Sequence, residues 1–405
     1  MKILLLNQVF VSPEEPGHTR HFELAQGLRQ KGHEMVIIAS NLNYQTGMPI
    51  DPTRSSYFEQ NVNGVRVLRV PIYSAIHQSY FSRVRSFLSF MFRSIGVSRF
   101  IPDMDLVMGT TPPLFQALSA WWVAFLKHRP FVLEVRDLWP DFAIDMGVIK
   151  NPILIWLAEG LERFLYRKAN RILVNSPAYP AIIEKKGIRK EKIVFIPYGT
   201  DSQIFSPQVD GSNVRKELGI QKEFLVVYTG ALGQANDIDT VLRAAVLLKE
   251  NKKIKIALFG DGKQRARLEA ETKHLKLENV IFAGTRPKKD MPGVVAAADA
   301  CLAILEDIPM FRTTYPNKVF DYMAAGKPTI LVIDGVIREV LDEAKGGLFV
   351  EPGNAEKLAL SILTLSQNPE TGKKMGRSAR KYLVDHFDRE LQMQKTIGFL
   401  EGLVR

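Results

Sequence analysis

The sequence predicts an α/β protein made of two doubly wound, parallel-sheet domains. Three observations predict it. A β-loop-α-β unit opens the chain, and a Pro- and Gly-rich break near residue 200 is followed by a second alternation of strand and helix signals. The length of 405 residues suits two domains. Hydrophobic residues at 46% and charged residues at 24% match soluble globular chains, which excludes a disordered, collagenous or repeat-only protein.

Lys2–Leu6 is a solid apolar run and reads as a buried strand. A loop rich in Pro, Glu and Gly follows. His21–Lys31 carries Phe22, Leu24, Ala25 and Leu28 on one side and ends at Gly32, the pattern of a capped helix. Met35–Ala39 is the next strand. Val65–Val70, Leu106–Gly109, Phe131–Val135 and Arg171–Asn175 add strands, and Ile153–Lys168 reads as an amphipathic helix. The break is Ile196-Pro197-Tyr198-Gly199-Thr200-Asp201. Beyond it lie strands at Phe224–Thr229, Ile254–Phe259, Val280–Phe282, Cys301–Leu305 and Thr329–Ile333. Helices are expected from Asp239, at Arg265–Lys273, from Pro316 to Ala325 and, at the end, over Glu390–Leu403. The expected domains are 1–195 and 196–385. Parallel α/β domains bind ligands at the carboxyl ends of their strands, and two such domains facing each other make a cleft.

Charge is uneven. The chain carries 54 Lys and Arg against 43 Asp and Glu, a net +11. Asn61–Pro102 holds Arg66, Arg69, Arg83, Arg85, Arg93 and Arg99 without one acid, which points to an anionic partner. Within it, Phe81, Val84, Phe87, Leu88, Met91, Phe92 and Ile95 follow helical spacing. Two readings of helix 81–100 stay open: a helix lying aromatic side down on an anionic bilayer, or a packed helix with a solvated basic face. No nucleic-acid module or zinc spacing is present, so nucleic acid is not expected as a partner. Cys301 is the only thiol and reads as a core residue, so no disulfide forms within the chain. The longest apolar stretch, Leu114–Leu126, falls short of the roughly 20 residues a span needs. The apolar run Met1–Leu6 is too short for an export signal, so the expectation is a cytoplasmic protein.

The segment Tyr315–Pro328 is the most informative. Pro316 suits the first helical position, and Gly326 with Pro328 ends the helix. Phe320, Met323 and Ala324 share a packing face. Asn317 and Asp321, four apart, share the other. A helix start gathers unpaired N–H groups and partial positive charge, and Lys318 adds a full charge, so a diphosphate can dock there. One turn on, Asp321 can accept from ribose hydroxyls. The pattern asks for a nucleoside diphosphate. Gly260-Asp261-Gly262 reads as a tight turn, His18 and His21 as non-metal residues, His33 as a turn residue, Trp156 as a packing residue, and Trp139, beside Arg136, as either a packing residue or a sugar platform.

The motifs Gly17–Arg20 with Gly32-His33, Val135–Pro140, Ile196–Asp201, Gly260–Gly262, Phe282–Gly284, Phe320–Pro328 and Gly347–Gly353 stand in one order. In them the chain resembles a retaining family 4 glycosyltransferase of the GT-B fold, two Rossmann-like domains. The likeness lies in the branch that builds bacterial surface polysaccharide and includes fucosamine-transferase-like enzymes.

The resemblance implies a nucleotide-sugar donor, a UDP-sugar favoured, in the second domain. It implies a polyprenyl-pyrophosphate-linked or oligosaccharide acceptor in the first, at the inner face of the membrane. Asp321 stands where the family has a ribose-binding Glu, and the backbone of Asn317, Lys318 and Val319 would cradle the diphosphate. Thr285 and Arg286 fall where a loop meets the base. Gly17, His18, Thr19 and Arg20 would line the donor sugar and acceptor side, and Arg136 and Asp137 stand where many members carry His-Asp. A C-terminal helix within 386–405 would cross back to the first domain.

The chain also departs from the family. Thr313 replaces the first Glu of the paired-glutamate motif. Gly230-Ala231-Leu232…Asn236-Asp237 lacks both cations of the usual phosphate clamp, leaving Lys318, Lys289, Arg286 or Arg136 to replace them. No Asp-x-Asp motif stands in a suitable loop, so neither metal nor cofactor is expected. Two other classes fit the architecture: a nucleotide-sugar epimerase, for which a carboxylate and His set is missing, and a non-catalytic nucleotide-sugar-binding scaffold.

Overall fold

The computed structural model describes residues 1–15, 17–43, 47–74 and 80–404. The chain divides into two units, Met1–Ile196 with Met393–Arg405, and Pro197–Gln392.

The first unit runs β1 (Lys2–Leu6), α1 (Arg20–Gln30), β2 (Glu34–Ser40), β3 (Phe58–Val62), β4 (Val65–Val70), α2 (Tyr80–Ser98), β5 (Leu106–Thr111), α3 (Leu114–Leu126), β6 (Phe131–Val135), α4 (Asp141–Asp145), α5 (Pro152–Lys168), β7 (Arg171–Val174), α6 (Tyr179–Lys185) and β8 (Ile193–Phe195). The strand order is β3-β4-β2-β1-β5-β6-β7-β8. All neighbours are parallel except β3, which pairs antiparallel with β4 through a turn at Asn63-Gly64, both at positive φ. That edge strand lies outside the sequence expectation because its Glu59, Gln60 and Asn61 give no apolar run. The chain winds from β1 to one side and from β5 to the other, so a switch point lies between them. Leu24, Ala25 and Leu28 of α1 close one face of the sheet together with Ile397 and Leu400.

The second unit runs α7 (Ser212–Glu217), β9 (Phe224–Thr229), α8 (Ile238–Leu248), β10 (Ile254–Phe259), α9 (Arg265–His274), β11 (Val280–Gly284), α10 (Met291–Ala297), β12 (Ala300–Ile304), α11 (Asn317–Ala324), β13 (Thr329–Val332), α12 (Val336–Ala344), β14 (Gly347–Phe349), α13 (Ala355–Gln367) and α14 (Pro369–Phe387), followed by α15 (Arg389–Glu401). Its sheet, β11-β10-β9-β12-β13-β14, is wholly parallel and switches between β9 and β12. Both faces are covered by apolar clusters, as the solid apolar strands require.

Four expectations need correction. Pro316 is the residue that caps α11, with extended ψ, and the helix begins at Asn317. The acid-free segment is not one basic surface: Arg69 is buried, donating to Gln60 Oε1 and Ser40 O and lying over the Phe10 ring, while Arg66 pairs with Glu59. The apolar side of α2 faces inward, with Phe90 and Val97 buried and Phe87 stacked on Phe115 of α3. Among the described residues of helix 81–100 the exposed side chains are Arg83, Arg85, Arg93, Arg99, Phe92 and Phe100, so a packed helix with a basic face describes it and the aromatic-side-down reading is not supported, and the Phe81 side chain lies outside the described residues. Trp156 is not a packing residue, since it is 67% exposed. Cys301 is buried as expected.

Candidate active site

In the second unit, glycines set the carboxyl edge. Gly230, directly after β9, has φ +148, and a Cβ there would lie 2.5 Å from Lys318 Nζ and 3.0 Å from the Tyr228 hydroxyl. Gly260, after β10, has φ +151, and a Cβ would collide with the Gly230 carbonyl at 1.7 Å. Two backbones meet where only glycine fits. Leu232 N donates to Asp261 O and Gln264 N to Leu232 O, which ties the two loops into one rim. Gly260-Asp261-Gly262 is thus a turn packed on its neighbour.

α11 is fixed beside this rim by Tyr322. Its buried hydroxyl accepts from Thr229 N at 3.0 Å, pairs with Thr229 Oγ1 at 2.8 Å and donates to Leu302 O at 3.3 Å, so it binds β9 and β12 at the switch point. The helix start carries no side-chain cap, and Val319 N turns back to Pro316 O. The first N–H groups of a helix have no acceptor within it. Lys318 Nζ lies 4.2 Å from the centre of the Tyr228 ring, and burial pushes its ammonium down to about 7. Ammonium, helix start and Gly230 therefore gather at one edge, where a polyanion gains from all three. Val319 is buried, so only its backbone can serve; Asn317 is half-buried on the outer face.

Asp321, one turn along, accepts from Thr200 Oγ1 at 2.7 Å and pairs with Lys288 Nζ at 3.1 Å. Lys288 also lies 4.7 Å over the Phe205 ring. Thr200 and Lys288 were missed by sequence reasoning. Thr200 sits in the Ile196–Asp201 motif, and Lys288 adjoins the Thr285-Arg286 loop, but neither spacing shows that both reach Asp321. Thr285 and Lys289 are exposed, and Arg286 is drawn to Glu217 at 2.5 Å. Thr313 Oγ1 donates to Met310 O. Asp237, at the position of a missing clamp cation, caps α8 through Thr240. Among the described second-unit cations named for the clamp, Lys318 is the one set against both the helix start and the glycine rim.

In the first unit, the residues after β1 and β6 converge. Glu134 is a carboxylate inside the buried run of β6, and His21 Nε2 lies 2.7 Å from it. Asn7 Nδ2 donates to Val9 O at 2.9 Å, which orients the amide, and lies 2.8 Å from His21 Nδ1. His21 Nδ1 therefore accepts, and its Nε2–H donates to Glu134. Burial lowers the imidazole pKa, against the pull of Glu134. Burial opposes ionisation of Glu134, yet His21, Arg20 and Arg136 hold its carboxyl well below the ordinary range. Arg136 donates to Thr111 O at 2.9 Å and Pro112 O at 3.0 Å, which moors it to the end of β5. Asp137 beside it is raised above its ordinary value by burial, although Arg136 and Arg20 oppose this. Gly17, at φ +137, and His18 are exposed, while Thr19 is buried and donates to Glu23 at 2.7 Å.

The structure thus groups Arg20, Arg136 and Asp137 at the switch point of the first sheet, and Gly230, Asn317, Lys318, Val319 and Asp321 at that of the second. Asn7, His21 and Glu134 went unrecognised as a group. Two signals were present: a carboxylate inside Phe131–Val135, and a histidine on the apolar stripe of α1, each of which requires a buried partner. No cluster of three or more metal-ligating side chains occurs among the described residues.

Comparison with known proteins assigns the same two halves. Residues 17–199 match the glycosyl transferase 4-like domain and residues 210–382 the glycosyl transferases group 1 family. With both units so matched, the chain belongs to the family 4 glycosyltransferases of the GT-B fold. It is 23% identical to an Escherichia coli (strain K12) protein, "Putative colanic acid biosynthesis glycosyl transferase WcaI", over 99% of this chain and 100% of that one. Among solved structures, sucrose-phosphate synthase from Thermosynechococcus elongatus superposes with a TM-score of 0.77 at 17% identity, covering 99% and 98% of the two chains. Anabaena Alr3699/HepE in complex with UDP-glucose does so with a TM-score of 0.75 at 19% identity over all of both chains.

Proposed function

We propose that this glycosyltransferase moves a sugar from a nucleoside-diphosphate donor, a UDP-sugar in the first instance, to a lipid-pyrophosphate-linked or saccharide acceptor of bacterial surface polysaccharide, with retention at the anomeric carbon. The observation that carries it is the Lys318 ammonium held at the open start of α11 against Gly230, with Asp321 one turn along. The diphosphate lies on the N–H groups of Asn317–Val319, and a ribose hydroxyl exchanges into the contacts of Asp321. Thr285 and Arg286 meet the base, and Lys289 extends the cationic edge. UDP-glucose bound to HepE supports the choice of nucleotide.

As the glycosidic bond breaks, negative charge gathers on the β-phosphate. A preorganised ammonium and helix start stabilise that charge more than they stabilise the intact donor, which is the source of rate. In a front-face displacement the departing phosphate takes the acceptor proton. Arg136 and Asp137, with Gly17–Arg20, hold the acceptor in the first unit, Asp137 accepting from a hydroxyl other than the attacking one. A WcaI-like role in polysaccharide assembly favours a saccharide or lipid-linked acceptor.

The test is a donor screen by thermal shift and turnover, run with and without EDTA and including UDP-linked hexoses and UDP-N-acetylfucosamine. Stabilisation by UDP that survives EDTA, with an α-configured product from an α-configured donor by NMR, is the expected result. No response to any uridine or guanosine diphosphate would remove the proposal.

A further inference from the structure

A row of buried polar side chains runs beneath the start of α1, and neither the donor site nor the acceptor contacts account for it. Leu6 of β1 pairs with Gly109 of β5, and Thr110 pairs with Glu134 of β6. Asn7, one residue past β1, Thr110 and Glu134 therefore stand level across three neighbouring strands, on one face of the sheet. All three are buried. His21, the second residue of α1, bridges the row: Asn7 Nδ2 lies 2.8 Å from its Nδ1, and its Nε2 lies 2.7 Å from Glu134. Thr110 Oγ1, at the middle of the row, has no hydrogen-bond partner among the described residues. One ring thus fastens the first turn of α1 to both sides of the switch point. Both of its nitrogens are engaged, and neither is left for a substrate.

What this row holds in place is charge. Arg20 immediately precedes His21, and Arg136 follows Glu134 by two residues. Both guanidiniums help to keep the Glu134 carboxyl ionised, and both oppose the rise at Asp137, so each stands close to both carboxylates. Two like charges gathered at one sheet edge repel. Glu134, fixed by the His21 N–H, offsets that repulsion from inside the fold and leaves Asp137 to face the acceptor. Apolar side chains would fill the row at lower cost, because buried charges must be stripped of water. A charge kept there is a charge in use, and groups of this kind hold the binding residues in front of them at a set geometry. We propose that Asn7, His21 and Glu134 are positioning residues of the acceptor site: the imidazole sets the Glu134 carboxylate, and that carboxylate holds the Arg20 and Arg136 guanidiniums at the edge where the acceptor enters. The inference rests on the reading that the first unit takes the acceptor, and it asks nothing of the donor site.

Steady-state transfer by the full chain tests it, from UDP-linked hexoses and UDP-N-acetylfucosamine to a prenyl-pyrophosphate-linked N-acetylhexosamine, with UDP affinity by titration calorimetry as the check on the second unit. Glu134→Gln keeps the shape and still accepts from His21. It should lower kcat/KM for the acceptor at least tenfold and leave the KM for the UDP-sugar and the UDP affinity within twofold. His21→Leu should lose as much, and His21→Gln, which keeps an N–H for Glu134, should recover at least fivefold over His21→Leu. Thr110→Val, in the same row but touching neither ring nitrogen, should stay within twofold of the unaltered protein. Nitrogen-15 spectra of the unaltered protein at pH 8 should show His21 Nδ1 without a proton and Nε2 carrying one, a readout that needs no variant to fold. Full acceptor turnover in Glu134→Gln, equal losses in Thr110→Val and Glu134→Gln, or the opposite tautomer would each overturn the inference. An unaltered protein that binds no UDP fails the donor reading instead. One that binds UDP and transfers to no acceptor removes the acceptor reading, and this inference with it.

Discussion

Replacing Lys318 by Met should stabilise the second unit while disabling it. The ordinary lysine value of 10.5 falls to about 7 in the fold because the ammonium is held away from water. The lowered value means that folding works against protonation. Below pH 7 the lysine is charged in both states and the cost is complete; between pH 7 and 10.5 the unfolded chain binds the extra proton, and stability rises with pH as that cost disappears. At about 1.4 kcal/mol per unit, the cost is on the order of 5 kcal/mol at pH 6. Attraction to the Tyr228 ring at 4.2 Å returns up to about 2 kcal/mol. Methionine keeps the aliphatic packing, so Lys318→Met should gain about 3 kcal/mol, or roughly 6–12 °C in the melting of a unit this size. Calorimetry at pH 6 and pH 9 should show the larger gain at pH 6 and a shrinking one toward pH 10.5. Calorimetric titration with UDP should show affinity reduced at least tenfold. A variant that melts at or below the parent at pH 6, or that binds UDP as well as the parent, would refute a strained ammonium kept for the diphosphate.

Asp321→Ala should weaken UDP binding about tenfold, about 1.4 kcal/mol, by titration calorimetry, and unchanged affinity would refute contact with the ribose. Gly260→Ala should destabilise the second unit by 3 kcal/mol or more, since its methyl meets the Gly230 carbonyl at a φ of +151, and thermal melting without a shift would contradict the packed rim. In the first unit, burial raises Glu162 from 4.5 to about 7 despite Lys186. A carboxyl raised in the fold contributes stability that is complete below pH 4.5 and is lost as pH climbs toward 7, on the order of 3 kcal/mol. Protection factors along α5, with the intrinsic pH dependence of exchange divided out, should therefore fall over that interval, and Glu162→Gln should flatten the trend.

Much of the architecture was legible because buried parallel strands announce themselves as unbroken apolar runs, as in Lys2–Leu6 and Phe224–Thr229. The edge strand Phe58–Val62 was not, since its pairing depends on a turn and its side chains are polar. The helix after Pro316 was legible from its punctuation and its apolar spacing. What remained hidden is long-range: Thr200 and Lys288 reach Asp321 across 121 and 33 residues of chain. His21 and Glu134, 113 residues apart, each look like a local anomaly until the fold pairs them. The basic segment misled in the opposite way. Sequence shows where arginines are numerous, but not that Arg69 points into the interior or that α2 turns its rings toward α3.

Asp321 enters the reaction already engaged, with a hydroxyl and an ammonium of its own chain. An incoming sugar ring must trade places with them, so the net gain is the difference between two sets of bonds rather than a whole new set. Spent nucleotide is then held only loosely, because the chain's own groups stand ready to reclaim the carboxylate. A carboxylate with resident partners thus favours clearance of the product between rounds.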